Sequence, residues 1–166
     1  MRFLLREFNG DETVTIDIKF TESNINCDYF IDDKSDLVWP KFTKIERKEE
    51  LWKSTCFELF LSSPTDTSYI EMNCSPSGGW NCYSFSDYRE GMTKLSGAKL
   101  TALKVENKRK ISVSFFLPQL PNRLLLGPAA ILSNNEGVLT YFSTAHGVKP
   151  DFHEREHHVL FSDHQL

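Results

Sequence analysis

Alternation of apolar and polar residues is the feature of this sequence that most restricts its fold. In TVTIDIKF the apolar residues Val14, Ile16, Ile18 and Phe20 occupy every second position, with Thr, Asp and Lys between them. Successive side chains of a β-strand point to opposite faces of a sheet, so this period of two predicts a half-buried strand. The next segment, INCDYFI, repeats the pattern. The chain is therefore predicted to begin with strands that each bury one face.

Similar strand character recurs along the rest of the chain. Turn-forming sequences such as SSPTDT, SPSGG, LPQLPN and SNNEG separate the segments. The further predicted strands are 3–8, 55–62, 68–74, 79–86, 99–105, 110–117, 129–132 and 139–142. Many short strands at this spacing predict an all-β sandwich or barrel.

Helical periodicity is scarce. The best window is 43–51, which is charged and short, and a further turn is predicted near Arg155. The connection 32–53 is long for a compact β fold and carries Trp39 and Trp52. Because long connections are often functional, this one is a candidate part of a binding site.

Length and composition indicate an ordinary globular protein. The 166 residues suffice for one domain with its own core, which we predict to span residues 1–166. The net charge of −4 and the small, mixed basic clusters argue against nucleic acid as a partner. MRFLLREFNGDE lacks the apolar run of a signal peptide, and no run is long enough to span a bilayer. We therefore expect a cytoplasmic protein without a membrane partner.

The four cysteines are predicted to be reduced, buried and small rather than metal-binding. Cys27, Cys56, Cys74 and Cys82 are spread through strand-like segments without a CxxC pair. A reducing compartment keeps such thiols free, and free cysteine packs like a small hydrophobe.

Two neighbouring predicted strands each carry a glutamate within an otherwise apolar pattern. In TCFELFL, Glu58 lies with Cys56 and Phe60 on the less apolar face, opposite to the face of Phe57, Leu59 and Leu61. In YIEMNC, Glu71 and Asn73 lie opposite to Met72 and its apolar neighbours. A short connection between the two strands predicts a hairpin, so these polar residues should share one face of the sheet.

Two carboxylates on adjacent strands repel each other, so something must offset the cost. Arg89, Arg47 or Lys53 could pair with them, a calcium ion could bridge them, or their oxygens could accept hydrogen bonds from a hydroxyl-rich ligand. A sugar fits the last alternative, with Trp52 as a flat apolar platform. The competing interpretation is a solvated sheet face, with Trp52 and Trp80 capping the edges of the core.

The order of these residues also resembles a known family. The segments LWKSTCFELFL, YIEMNCSPSGGWNCYSFSDYREGM and TAHGVKPDFH are similar to DOMON-like proteins allied to family-nine carbohydrate-binding modules. Their shared patterns are W-x-x-T-C-F-E-x-F, Y-x-E-x-N-x-S-P-S-G-x-W-x-x-Y-x-F-x-x-Y-R and an H-x-x-G-K-P-D-F-H-like close. The match is strongest over residues 52–92 and recurs over 145–153.

The resemblance implies an antiparallel β-sandwich of jelly-roll type whose concave sheet face binds a small saccharide or, in related domains, haem. Carried over by position, the ligand-binding residues would be Glu58, Glu71, Asn73, Trp52 and Arg89. Trp80 and Tyr83 also match motif positions. Because their positions differ in parity, only one of them can share the glutamate face.

Other functions have weaker support in the sequence. Haem would need an axial pair, and Met72 with His146 is the only pairing that the sequence offers, although Met72 is expected in the core. The segment DFHEREHHVLF has spaced histidines but no zinc-protease motif, and we expect a solvated C-terminal tail. Two glutamates could serve in glycoside hydrolysis, but an open sheet face would neither exclude water nor raise a carboxyl pKa.

The sequence therefore predicts a non-catalytic binding module for a saccharide or similar polyol. No catalytic residue, metal ligand or cofactor is assigned, and neither structural calcium nor haem is supported. The alternative is a structural or protein-interaction domain without a small ligand, in which the connection 32–53 or a partner chain would fill the glutamate face.

Overall fold

The computed structural model describes residues 1–32, 36–107, 109–118, 120 and 123–162. The described chain is built almost entirely of β-strands. They are β1 Arg2–Glu7, β2 Thr13–Phe20, β3 Asn24–Ile31, β4 Glu46–Arg47, β5 Cys56–Ser62, β6 Tyr69–Cys74, β7 Gly79–Phe85, β8 Thr93–Lys94, β9 Lys99–Glu106, β10 Lys110–Phe116, β11 Arg123–Ser133, β12 Leu139–Ser143 and β13 Val159–Ser162. Two short 3₁₀ helices span Leu51–Lys53 and Arg155–His157. In the described part of the chain, no helix is long and apolar enough to cross a membrane.

Hydrogen bonds join these strands into one curled, mixed sheet. The strand order is β4-β7-β6-β5-β11-β12-β1-β2-β3-β10-β9, with β8 paired to β7 and β13 paired to β11. Pairing is antiparallel except between β4 and β7. The all-β prediction is confirmed, and the predicted jelly-roll sandwich stays a prediction, because the hydrogen bonds describe one continuous curled sheet.

Strand parity follows the sequence pattern. Val14, Ile16 and Ile18 of β2 are at most 1% exposed and belong to one large apolar cluster, which also contains Phe57 and Met72 from the other half of the sheet. The curled sheet thus places its two halves around a common core, as expected from burial of the apolar face of each strand. All four cysteines are buried and free, as predicted.

Two local predictions from the sequence are wrong. The window 43–51 is not helical: Glu46–Arg47 forms β4 alongside β7, and only Leu51–Lys53 makes a helical turn. The C-terminal segment is not a solvated tail, because Val159–Ser162 forms β13 and pairs with Arg123–Leu126 at the start of β11. Both errors concern strands whose partners are distant in sequence. The predicted turn near Arg155 is confirmed.

Strand β11 organises the region beneath the site. It pairs with β5 along one edge, and along its other edge it pairs first with β13 and then with β12. The sequence analysis predicted a strand only over 129–132, because turn-like residues precede it. Pro128 lies where the partner changes from β13 to β12, a break in the ladder at which a residue without an amide hydrogen is tolerated.

Candidate functional site

The predicted polar residues do share one face of the sheet. In the β5–β6 register Glu58 is opposite Asn73, and Glu71 is opposite Phe60, so the two carboxyl groups are diagonal rather than direct neighbours. The amide Nδ2 of Asn73 donates to Oε1 of Glu71 at 2.6 Å. Glu58 is 3% exposed, Glu71 5% and Asn73 0%. The interpretation of a solvated face is therefore wrong.

Segments laid over the sheet produce this burial. The main core occupies the opposite face of β5 and β6, and the glutamate face is covered by residues that follow β7 and β12 and by the turn before β5. Together they enclose a cavity of about 380 Å³, which we call the carboxylate recess. Its lining residues are Trp52, Glu58, Glu71, Phe85, Arg89, Met92, Ile131, Tyr141, Pro150, Phe152 and His153.

Residues 149–158, here called the covering segment, are fastened to the sheet by polar contacts. Nε2 of His158 lies 3.0 Å from the carbonyl oxygen of Phe152 and must donate to it, because a carbonyl can only accept. In the neutral ring Nδ1 then accepts a hydrogen bond from the hydroxyl of Ser62, at 2.8 Å. Burial lowers the pKa of His158 and so favours this neutral form. Arg155 donates to the carbonyls of Ser63 and Asp66 in the β5–β6 hairpin. The covering segment is thus held directly above the two strands that carry the glutamates.

Two buried acceptor oxygens on this face have no hydrogen-bond partner among the residues that the structure describes. They are Oε1 of Glu58 and Oδ1 of Asn73, which belong to directly opposite residues of β5 and β6. A buried oxygen without a partner costs about 1–3 kcal/mol relative to one that is hydrogen-bonded. Of these two residues Glu58 lines the recess and Asn73 does not, so the oxygen of Glu58 is the one to which a ligand could supply the missing donor.

Burial also changes the protonation of the two carboxyl groups. Desolvation raises the pKa of Glu58 well above its ordinary value, and the neighbouring Glu71 raises it further. Desolvation raises the pKa of Glu71 to about 7, although the hydrogen bond from Asn73 opposes the shift. Arg89 lowers both pKa values through its charge, but less than desolvation raises them. The expectation that this face could not raise a carboxyl pKa is therefore wrong.

None of the proposed cations forms an ion pair with either glutamate. Nη2 of Arg89 lies 2.9 Å from Oδ1 of Asp151. Lys53 pairs with Glu50. Arg47 donates to the side-chain oxygen of Asn81 and stacks on Trp80, with its guanidinium carbon 4.4 Å from the ring centre. Direct pairing with a basic side chain, one of the three alternatives considered from the sequence, is thus absent from the described residues.

Arg89 reaches the recess as part of a cluster around Asp151. The side chain of Asp151 is 2% exposed. It accepts hydrogen bonds from the hydroxyl of Tyr88 at 2.5 Å, from Arg89 and from the backbone amide of His153 at 3.1 Å. Although burial opposes ionisation, the bonds from Tyr88 and Arg89 lower the pKa of Asp151 to about 2. The positive charge of Arg89 is therefore matched locally.

His153 is a site residue that the sequence analysis missed. Its Nδ1 lies 2.7 Å from the hydroxyl of Tyr69, and its Nε2 lies 3.8 Å from Oε2 of Glu71. Burial, with the charge of Arg89, lowers the pKa of His153 to about 4, so the ring is neutral near pH 7. The sequence does contain a signal for this residue, because His153 ends the third motif of the family resemblance. The prediction of a solvated C-terminal tail, which included His153, hid that signal.

The remaining motif residues are divided between the two faces. Tyr83 is opposite Glu71 in the β6–β7 register and shares the glutamate face, whereas Trp80 packs in the main core. Trp52 lines the recess and is 37% exposed. Trp39, from the same connection, packs against Phe57 in the core instead.

Metal and haem ligands do not come together in the described chain. Met72 is 1% exposed in the main core, and His146 directs Nε2 to the carbonyl of Arg6 at 2.8 Å, so the two do not form an axial pair. Among the residues that the structure describes, no group of three or more His, Cys, Asp or Glu side chains is arranged to hold a metal ion.

Comparison with known proteins supports the fold. No protein-family model matches the chain, and no curated protein matches it. The structure is similar to the crystal structure of a putative carbohydrate-binding protein from Bacteroides uniformis ATCC 8492, with a TM-score of 0.67 and 13% sequence identity. The alignment covers 98% of this chain and 85% of the other. At this identity the similarity establishes a common curled β architecture.

Proposed function

We propose that this protein is a non-catalytic binding module and that the carboxylate recess holds a small saccharide or similar polyol. The observation that carries the proposal is the unpartnered Oε1 of Glu58, buried at the wall of a cavity of about 380 Å³. A hydroxyl group that donates to this oxygen would remove the cost of leaving it unpaired.

The remaining walls of the recess suit the same class of ligand. Glu71 and Arg89 supply further hydrogen-bonding groups, and Trp52 offers a partly exposed flat face for the C–H side of a sugar ring. A volume of this size lies within the range of small-molecule sites. Trp52 forms part of the wall, and the described residues of the connection 32–53 do not fill the cavity, which favours a ligand site over a purely structural domain.

The description of the similar Bacteroides protein as a putative carbohydrate-binding protein supports the same reading. We further propose that the chain is a distant DOMON-like protein of jelly-roll type. The support is that residues from all three matched motifs, namely Glu58, Glu71 and His153, line one cavity. We propose that the site works without haem or calcium, and an absorption spectrum of freshly purified protein without a haem band would agree with this.

Isothermal titration of the purified protein, guided by a glycan array, tests the saccharide proposal. We expect binding of at least one small saccharide, with affinity lost in Glu58→Ala and Glu71→Ala and reduced in Trp52→Ala. Glu136→Ala is a matched control, because Glu136 is exposed on the β11–β12 connection. Far-ultraviolet circular dichroism would verify that each variant is folded. Absence of binding, or binding unchanged by both glutamate substitutions, would contradict the proposal.

A glycoside-acting enzyme is a second candidate, and one observation favours it. Glu58 and Glu71 lie in an aromatic recess, and burial raises the pKa of both carboxyl groups, as it does for a catalytic general acid. Turnover of aryl glycosides that disappears in Glu58→Gln would support this candidate. Binding without turnover would support the non-catalytic module.

A further inference from the structure

We propose that the preferred occupant of the carboxylate recess carries a primary ammonium group, as an amino sugar or amine-bearing polyol does, and that this group binds between Glu58 and Glu71. The inference rests on the proposed function and narrows its ligand class. It is carried by the two carboxyl groups of the recess, their lack of a basic partner and the aromatic walls around them.

The charge of the two carboxyl groups favours a cationic ligand. Both carboxyl groups are at least nine-tenths buried, and among the described residues neither forms an ion pair with lysine or arginine. The one ionic contact recorded for either is the 3.8 Å approach of His153 to Glu71, and that ring is neutral near pH 7. Neutral hydroxyl groups satisfy acceptor oxygens but do not cancel the repulsion between two carboxylates. A cation does both.

The hydrogen-bonding groups and the aromatic walls of the recess also favour an ammonium group. An ammonium group has three donors and no acceptor, which matches a site with an unpartnered Oε1 on Glu58. The aromatic part of the lining of the recess consists of Trp52, Phe85, Tyr141 and Phe152. Aromatic faces attract cations electrostatically, and combined with carboxylates they make a recess that favours an ammonium over a hydroxyl.

The positive groups that face the recess do not prevent this. The guanidinium of Arg89 is held by Asp151, and the side chain of Lys149 is 71% exposed and 3.7 Å from the same carboxylate. Tyr69 and Tyr83 share the face of Glu71, and Cys56 shares the face of Glu58, but all three have pKa values raised by burial and are neutral near pH 7. Among the described residues at the recess, the ionisable groups without a basic partner are thus the two glutamates.

Without a bound cation, the two carboxyl groups bind protons instead. With Glu58 and Glu71 retaining protons near neutral pH, an entering ammonium stabilises the ionised carboxylates and displaces a proton to solvent. Binding of the amine is therefore expected to release protons, and its affinity is expected to rise between pH 5 and the pH at which the amine itself is neutralised. A neutral sugar would show neither effect.

Isothermal titration with matched sugars tests the inference. The probes are glucose, galactose and mannose, each compared with its 2-amino and N-acetylamino forms at pH 7. We expect the amino form of at least one sugar to bind about tenfold more tightly than both its hydroxyl and its N-acetyl counterpart, as for a charge-assisted hydrogen bond. Titration in buffers of different ionisation enthalpy should show proton release for the amino form alone.

Variants separate this inference from the proposed function. Glu58→Gln and Glu71→Gln keep the shape of the recess and remove charge, so they should abolish the preference for the amine, whereas Glu136→Gln should keep it. Thermal melting would verify that each variant is folded. Neutral sugars that bind as tightly as their amines would overturn the inference and leave the proposed function standing. Failure of every sugar to bind would overturn both.

Discussion

Nε2 of His153 lies 3.8 Å from Oε2 of Glu71, while Nδ1 of the same ring lies 2.7 Å from the hydroxyl of Tyr69. This histidine therefore connects the covering segment to the sheet without supplying a positive charge, because its pKa is lowered to about 4. Glu71 is buried beside a neutral ring, and its own pKa rises to about 7. The site consequently holds more protons near neutral pH than its residues would in an unfolded chain.

The free energy of unfolding should fall as the pH rises from 6.5 to 8. The pKa of Glu71 is about 7 in the folded protein against an ordinary value of 4.5, and burial also raises the pKa of Glu58 well above its ordinary value, so the folded state binds more protons. His153 acts in the opposite direction, but only between about 4 and 6.5. The cysteines, with an ordinary pKa of 9.0, contribute only at higher pH.

Glu71→Gln should flatten this pH dependence and make the protein more stable at pH 8 by about 1–3 kcal/mol, since no buried charge then forms. Urea unfolding at several pH values between 6.5 and 8 measures the effect. Glu136→Gln, at an exposed position, should keep the slope of the parent protein. Equal slopes in the parent protein and Glu71→Gln would show that Glu71 is already ionised at pH 6.5.

Tyr69→Phe should destabilise the protein by about 1–2 kcal/mol, because a partly buried donor loses its acceptor. The hydroxyl of Tyr69 accepts from the backbone amide of Arg89 at 3.0 Å and contacts His153. Tyr141→Phe is a control from the same recess, since the Tyr141 hydroxyl makes no hydrogen bond with the described part of the chain. Chemical denaturation of both variants makes the comparison, and equal stabilities would argue against the Tyr69 contacts.

Asp151→Asn should cost about 1–3 kcal/mol, because it weakens hydrogen bonds to a buried ionised acceptor. The carboxylate of Asp151 accepts hydrogen bonds from the side chains of Tyr88 and Arg89 and from the backbone amide of His153. Its pKa of about 2, against 3.8 ordinarily, means that its contribution is complete above pH 3.8 and is lost as the pH falls through about 2. Acid unfolding should therefore be less steep in Asp151→Asn. The exposed Asp11→Asn should match the parent protein.

Gly78→Ala should be more destabilising than Gly137→Ala. Both glycines have positive φ, of 94° and 79°, so alanine strains either turn. A methyl group at Gly78 would in addition lie 2.2 Å from the carbonyl oxygen of Lys44, whereas Gly137 has open space around it. Thermal melting should show the larger decrease for Gly78→Ala, in which the segment around β4 must move. Similar melting temperatures would mean that backbone strain alone sets the cost.

The sequence by itself determined the strands and their faces. Alternation in TVTIDIKF placed Val14 and Ile16 in the core, and parity in YIEMNC placed Glu71 and Asn73 together on the opposite face. These predictions succeeded because a period of two is a local property that a few consecutive residues are enough to show. The same logic failed for β13, whose short sequence becomes a strand only beside Arg123–Leu126.

Only the tertiary structure decided whether Glu58 and Glu71 are exposed to solvent or buried. Trp52, Arg89 and His153 belong to separate segments, and no local pattern states that all three close over the same two strands. That covering removes water from Glu58 and Glu71, raises their pKa values and leaves Oε1 of Glu58 without a hydrogen-bond partner among the described residues. Desolvation depends on every segment packed around a group, so the sequence could indicate which carboxyl groups meet but not the environment in which they meet.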